Sequence, residues 1–256
     1  MSNEVKVLLK ELRLPAIKEC YKQITTQAVQ NNLSYEQYLC ELLNQEYESR
    51  LAKRKARLLR ESKLPVGKTL KTFNRKRLPL KVNNQLNILL EGSFTGHAEN
   101  VLAFGNPGAG KSHLICAIGY ELINQNKRVL FSKCDILTQD LLRAKKELKL
   151  AWKLKWMSRF DAIIIDDIGY VHQSREEMEV LFTLLAHCYE RTSIMLTSNL
   201  PFSGWEKIFK DPMTTAAAID RLIHHSIIIE LNIPSYRLEN AGKRITNVSD
   251  KQSENE

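Results

Sequence analysis

The apolar positions of this chain change their period partway along, and that change divides it. In the first ~60 residues the spacing is helical. Leu8, Leu9 and Leu12 form one stripe, and Ile17, Tyr21 and Ile24 form a second, with Pro15 suited to a first helical turn. Asn31-Asn32 predicts a turn. Ser34-Tyr35-Glu36-Gln37 then has the form of a capping box. It opens a long helix with Leu39, Leu42, Leu43, Tyr47 and Leu51 on one face. Between Arg50 and Arg60 basic residues surround a thinning apolar stripe, and Pro65 and Gly67 end it.

Further on, short continuous apolar runs at 100–104, 128–133, 161–166, 193–198 and 226–231 predict buried strands. Helical spacing at 111–125, 135–147, 175–190 and 214–224 predicts the connections. This alternation implies an α/β fold, a parallel five-stranded sheet between helices, preceded by a small all-α N-terminal domain. The expected divisions are a helical basic domain over 1–65, a basic linker over 66–80, the α/β domain over 81–242 and a tail over 243–256. The tail has almost no apolar content and is expected to be disordered.

Composition narrows the class. The chain has 256 residues, 43% of them hydrophobic, enough for one large core or two smaller ones. No run reaches the ~18 apolar residues of a membrane span, and no signal peptide is visible. Cys20, Cys40, Cys116, Cys134 and Cys188 are scattered without a C-x-x-C pair, which disfavours disulfides and zinc and fits a reducing cytoplasm. Charge is uneven. Residues 1–90 carry 18 Lys and Arg against 8 Asp and Glu, whereas the remaining 166 carry 20 against 21, so the formal +9 lies in the N-terminal third. Such asymmetry points to a polyanion, although a solvated helical face would also be basic.

The sharpest chemical signal is Gly105-Asn106-Pro107-Gly108-Ala109-Gly110-Lys111-Ser112. It matches G-x-x-x-x-G-K-[ST], set between a predicted strand and a predicted helix. Glycines let the backbone turn tightly and aim N–H groups at phosphate oxygens. Lys111 reaches the β- and γ-phosphates, Ser112 can hold Mg²⁺, and the helix start adds a positive dipole end. One strand later, Ala162-Ile163-Ile164-Ile165-Asp166-Asp167 delivers two acids to the same sheet edge. One carboxylate can hold Mg²⁺ and the next can polarise an attacking water. The following strand ends Thr197-Ser198-Asn199, where Asn199 could bond that water or the γ-phosphate, or these residues could simply cap the turn before Pro201.

With the P-loop and its His113-Leu114, these motifs include Asp166-Asp167-Ile168-Gly169-Tyr170 and Thr197-Ser198-Asn199-Leu200-Pro201-Phe202. Ala216-Ala217-Ala218-Ile219-Asp220-Arg221-Leu222 and Ser235-Tyr236-Arg237-Leu238 follow. Together they resemble the IstB-like ATPases, transposition helpers encoded by insertion sequences and similar to the DnaC and DnaI helicase loaders of the AAA+ initiator group. The resemblance spans roughly residues 5–245. It implies ATP or ADP with Mg²⁺ as cofactors, and a homo-oligomer that assembles on double-stranded DNA and engages a cognate transposase. The alternative it leaves open is a helicase loader. It implies Walker A at Gly105–Ser112 and Walker B at Asp166 and Asp167. Asn199 would be a first sensor, Arg221 an arginine finger reaching a neighbour's nucleotide, and Arg237 a second sensor. Two departures stand out. Asp167 occupies a position that is Glu in many AAA+ proteins, and only about 20 residues follow Arg237, too few for a full helical lid.

Two basic segments compete for DNA. One is 50–77, with Arg54, Lys55 and Arg57. The other is 143–159, with Lys145, Lys146, Lys149, Lys153 and Lys155 around Trp152 and Trp156. The second reads equally as a DNA-contacting element or as an amphipathic helix whose tryptophans enter the core. Phosphate contact is expected rather than base reading.

Overall fold

The computed structural model describes residues 2–169, 174–209 and 211–236. Tertiary contacts divide the chain into two units, residues 1–57 and 58–256.

In the first unit α1 (Ser2–Glu11), α2 (Pro15–Gln30) and the start of α3 (Tyr35–Ser62) enclose a small core of Ile17, Ile24 and Leu42. Both halves of the capping box form, Ser34 N–H to Gln37 Oε1 at 2.9 Å and Gln37 N–H to Ser34 Oγ at 3.2 Å. The start of α2 has no cap from its own Leu14. Glu46 of α3 supplies one instead, accepting the N–H groups of Ala16 at 2.8 Å and Ile17 at 3.3 Å, while Arg50 Nε holds its other oxygen at 2.9 Å. Burial opposes the charge on Glu46, but Arg50 and the two N–H groups outweigh it and hold the carboxyl below its ordinary value. A buried carboxylate at a helix N-terminus is thereby satisfied.

The second unit is built on five parallel strands in the order β2-β3-β4-β1-β5. They are β1 (Asn100–Gly105), β2 (Val129–Lys133), β3 (Ala162–Ile168), β4 (Ser193–Ser198) and β5 (Ser226–Leu231). Helices α4 (Leu80–Leu90), α5 (Lys111–Asn124), α6 (Cys134–Lys146), α7 (Leu150–Met157), α8 (Arg175–Cys188), α9 (Glu206–Phe209) and α10 (Pro212–Ile223) complete it. The predicted strands and their connecting helices are present to within two residues at each end.

Strand alternation sorts the side chains onto two faces. Leu102, Ile163, Ile165, Ile194 and Leu196 enter one core with α6, α7, α8 and α10. Val101, Ala103, Ile164, Met195 and Ile229 enter another with α4 and α5. Full burial of each such Leu or Ile contributes about 1.5–3 kcal/mol. Leu58, Leu64 and Leu78 belong to the second core, with Phe73 packed against it. Thus residues 66–80, expected to be a linker, are joined to the α/β core, and the contact boundary falls at Arg57/Leu58. Residues 243–256, read as a tail, and Arg237 with any lid beyond it, lie outside the described residues.

Candidate nucleotide-binding site

The strand order brings the polar residues together. β4 lies between β1 and β3, so the end of β4 separates the glycine-rich loop after β1 from the acids at the end of β3. Asn199 follows β4 and joins the two sides. Its Oδ1 accepts from Lys111 Nζ, and its Nδ2 donates to Asp167 Oδ1 at 3.2 Å. Lys111 Nζ also donates to the carbonyls of Gly105 at 2.8 Å and Asn106 at 2.9 Å. A cavity of about 540 Å³ opens here, lined by Pro107 through His113 together with Asp167 and Asn199.

The two acids do different things. Asp166 is 5% exposed and accepts Thr197 Oγ1 on its Oδ1 at 2.7 Å. The same hydroxyl accepts the Asp167 N–H at 2.8 Å. Asp167 has φ 67 and lies where the β3–β4 register shifts between Ile165 and Ile168. The irregularity lets Asp167 line the cavity, while Asp166 does not line it.

The loop needs its glycines for close approach. Gly105 has φ 144, and a Cβ there would lie 2.3 Å from the Leu231 carbonyl oxygen. Gly108 has φ 80, and a Cβ there would lie 2.0 Å from Ser235 Oγ. The chain after β5 therefore braces the loop, and Tyr236 N–H donates to the Gly108 carbonyl at 3.0 Å. From the other side comes the 67–78 segment. Phe73 meets the His113 ring edge-on at 5.1 Å, and Thr72 Oγ1 and the Thr69 carbonyl each lie 3.1 Å from His113 Nε2. Arg77 links both braces, donating to the Pro234 carbonyl at 2.9 Å and stacking over Tyr236 at 5.1 Å.

Hard oxygen donors suit Mg²⁺. Ser112, near the start of α5, and Asp167 both line the cavity, and Asp166 lies buried behind them with one oxygen bonded to Thr197. The donor set therefore fits that ion, and the glycine-built cradle at the start of α5 fits an anion.

Arg221 stands elsewhere. Its guanidinium bonds the Ala217 carbonyl at 3.0 Å and lies 5.0 Å from the centre of the Phe182 ring. Asn100 Nδ2, at the start of β1, donates to the Leu222 carbonyl at 3.1 Å and approaches the Arg221 carbonyl at 3.5 Å. Arg221 is thus anchored at the sheet edge opposite the loop. The basic candidates are spread out. Lys145 pairs with Glu179 at 2.8 Å and Lys149 with Glu147 at 2.9 Å. Lys153 lies over Trp156 at 5.1 Å, and Lys146 and Lys155 are exposed. Arg54, Lys55 and Arg57 are exposed on α3 in the first unit. The tryptophans divide: Trp156 packs against the core and Phe160, whereas Trp152 is 68% exposed.

Sequence reasoning read Thr197 only as part of a strand end or a turn cap, and gave no site role to Phe73, Thr72 or Arg77. For Thr197 the signal was a hydroxyl inside a strand buried at every position. For Phe73 it was a lone aromatic within a basic stretch.

Comparison with known proteins follows the same lines. The family model for IstB-like ATP binding protein matches residues 7–244. An insertion sequence ATP-binding protein of Sinorhizobium fredii is 41% identical over 236 residues, covering 92% of this chain and 79% of its own. The IS21 ATP-binding protein of Pseudomonas aeruginosa is 35% identical over 241 residues, covering 94% and 91%. Among solved structures, the DnaC helicase loader superposes with a TM-score of 0.56 at 15% identity, over 66% of this chain and 98% of that one. AMPPCP-bound DnaA of Aquifex aeolicus gives 0.56 at 19%, over 73% and 57%. At such identities the structures speak to the fold alone, a five-stranded parallel sheet between helices shared with DnaC and DnaA. Among the described residues no helix is long and apolar enough to cross a membrane. With the loop, the acid pair and the bridging asparagine on one sheet edge, and sequence similarity running through nearly its whole length, the chain belongs to the IstB-like ATP-binding family.

Proposed function

We propose that this protein is an ATP-driven assembly factor for DNA transposition, acting in the cytoplasm. It would bind ATP, polymerise on double-stranded DNA, present that DNA to a cognate transposase, and leave it on hydrolysis. One observation carries the assembly step. The nucleotide loop and Arg221 are at opposite ends of β1, a strand of six residues, or about 20 Å at 3.3 Å per residue. An arginine so placed does not serve its own cavity. It suits the nucleotide of another copy, where it would neutralise charge on the transferring phosphoryl group.

Within one copy the chemistry divides among few residues. Backbone N–H groups of the loop from Gly108 to Ser112 and the Lys111 ammonium would hold the phosphates. Ser112 and Asp166 would hold Mg²⁺, which when bound neutralises phosphate charge. Asp167 faces the cavity and would orient the attacking water. Asn199 is bonded to both Lys111 and Asp167, so it would register the γ-phosphate and the water together. His113 with Phe73 would border the rest of the nucleotide, and Arg237 is a second-sensor candidate by family resemblance.

DNA would lie on α6–α7, and the Arg54, Lys55 and Arg57 stretch of α3 is a separate candidate surface on the first unit. The ion pairs of Lys145 and Lys149 are exposed surface pairs, screened by water, which phosphates could exchange readily. The transposase and the insertion-sequence setting are supported by the family and its named relatives.

Particle size in solution tests this reading. The full chain should form a large species only with both ATP and DNA, and revert with ADP. Arg221→Ala should bind ATP yet stay small. A monomer under every condition would overturn the proposal.

A further inference from the structure

Far from the nucleotide cavity, three side chains able to ligate a metal come together. Glu190 lies in the turn between α8 and β4, and His224 and His225 lie between α10 and β5. One ligand atom from each falls within 4.8 Å of the others, and all three residues are exposed. None takes part in the chemistry proposed above.

The cluster is held by its backbone and by a neighbouring phenol. Asn100 N–H donates to the His225 carbonyl at 2.7 Å, and His224 N–H donates to the Asp220 carbonyl at 3.0 Å. Glu190 sits at φ 55 in a turn closed by Arg191 and Thr192 N–H groups on the Cys188 carbonyl, at 2.9 and 3.0 Å. The imidazoles meet edge to face with centroids 4.2 Å apart. Tyr189 Oη lies 2.8 Å from His224 Nδ1. With Nδ1 engaged, Nε2 is the nitrogen left to ligate.

Two imidazoles and a carboxylate form a donor set for borderline cations. Mg²⁺ and Ca²⁺ prefer all-oxygen shells, whereas Zn²⁺, Co²⁺ and Ni²⁺ take imidazole readily. Ligand atoms around Zn²⁺ stand about 3.3 Å apart, given bonds of about 2.0–2.1 Å in a tetrahedron. Exposed side chains reach that spacing from 4.8 Å by small torsional changes. An outer group on the second imidazole nitrogen is what ligating histidines regularly have. We propose that Glu190, His224 and His225 bind one divalent transition ion of the Zn²⁺ class, with Tyr189 orienting His224 and water completing the shell. The bound ion would tie the α8–β4 turn to the α10–β5 turn, on the face that carries Arg221.

Co²⁺ titration of the full chain, followed by visible absorption and by Zn²⁺ displacement, tests the site. The expected result is one Co²⁺ per chain, displaced by Zn²⁺, with a metal-dependent rise in melting temperature. Glu190→Gln and His225→Ala should each weaken binding at least about tenfold, and Tyr189→Phe about tenfold, as loss of an outer partner does. Both exposed variants should melt as the parent does without metal. Lys111→Ala, in the nucleotide cavity, should bind Co²⁺ unchanged. Unchanged Co²⁺ binding in the triple variant Glu190→Gln/His224→Ala/His225→Ala would overturn the site. So would loss of binding in Lys111→Ala, or a parent affinity weaker than millimolar.

Discussion

Thr197 serves two neighbours through one oxygen, donating to Asp166 and accepting from the Asp167 amide. In an unbroken strand these adjacent acids would point to opposite faces. The register shift and the left-handed backbone at Asp167 change that, and Thr197 is the side chain that satisfies the rearranged groups. Thr197→Val keeps the shape but strands a buried carboxylate oxygen and an N–H, at about 1–3 kcal/mol. Steady-state hydrolysis should fall roughly 10- to 100-fold while equilibrium ATP binding survives, and Thr197→Ser should restore most of the rate. Wild-type hydrolysis by the valine variant would remove Thr197 from the mechanism. The acid pair was legible in the sequence because an apolar run ended in carboxylates. Which acid faces the cavity was not legible. Period-two patterning carries no mark of a bulge, and Asp merely tolerates a positive φ.

Among the elements, the stretch from Leu58 to Leu78 is the least transparent from sequence. Its Lys and Arg residues pointed to a basic helix up to residue 65 and a basic linker over 66–80, yet Leu58, Leu64 and Leu78 are buried and Phe73 and Thr72 line the cavity. The five strands were legible because buried parallel strands are apolar throughout. This segment was not, because four apolar anchors scattered among cations have no period. Two measurements bear on it. Phe73→Ala should weaken nucleotide binding about tenfold, in line with the loss of a packed aromatic, and unchanged affinity would exclude the contact. His113 gives a pH signature. Burial first, then the Lys68 charge, pushes its imidazole below the ordinary value of 6.5, against the opposing Thr69 carbonyl. The unfolded chain therefore takes up this proton more readily than the folded one. Stability should rise with pH through the window just below 6.5 and be lost as pH falls through it. Melting curves between about pH 5 and 7.5 should show a smaller rise for His113→Asn than for the parent. Equal slopes would discount the residue.

At the level of the whole molecule, the contact boundary at Arg57/Leu58 makes a prediction about truncation. A chain starting at residue 58 should melt close to the parent's α/β transition. One starting at residue 81 loses Leu58, Leu64, Phe73 and Leu78. At about 2–5 kcal/mol for each large buried side chain lost, it should fail to fold cooperatively. Equal melting of the two fragments would return residues 66–80 to the status of a linker. Sharing of sites between copies has its own test. Asp167→Asn keeps Arg221, and Arg221→Ala keeps a whole cavity, so mixing the two inactive proteins should recover a fraction of the DNA-stimulated hydrolysis. No recovery at any ratio would place Arg221 outside a shared site.

The strand that joins these two locations is β1. Its first residue, Asn100, is fastened through three polar groups: its N–H to the His225 carbonyl, its Nδ2 to the Leu222 carbonyl, and its Oδ1 to the Ile194 N–H. Its last residue, Gly105, opens the phosphate loop. An extended backbone hydrogen-bonded on both sides does not stretch, so β1 behaves as a connecting rod. In a row of copies, each rod would hold one nucleotide at its head and, at its foot, the arginine offered to the next. Displacement at one head would be felt at the neighbour's nucleotide without passing through flexible chain, as motion passes down a train of coupled pistons.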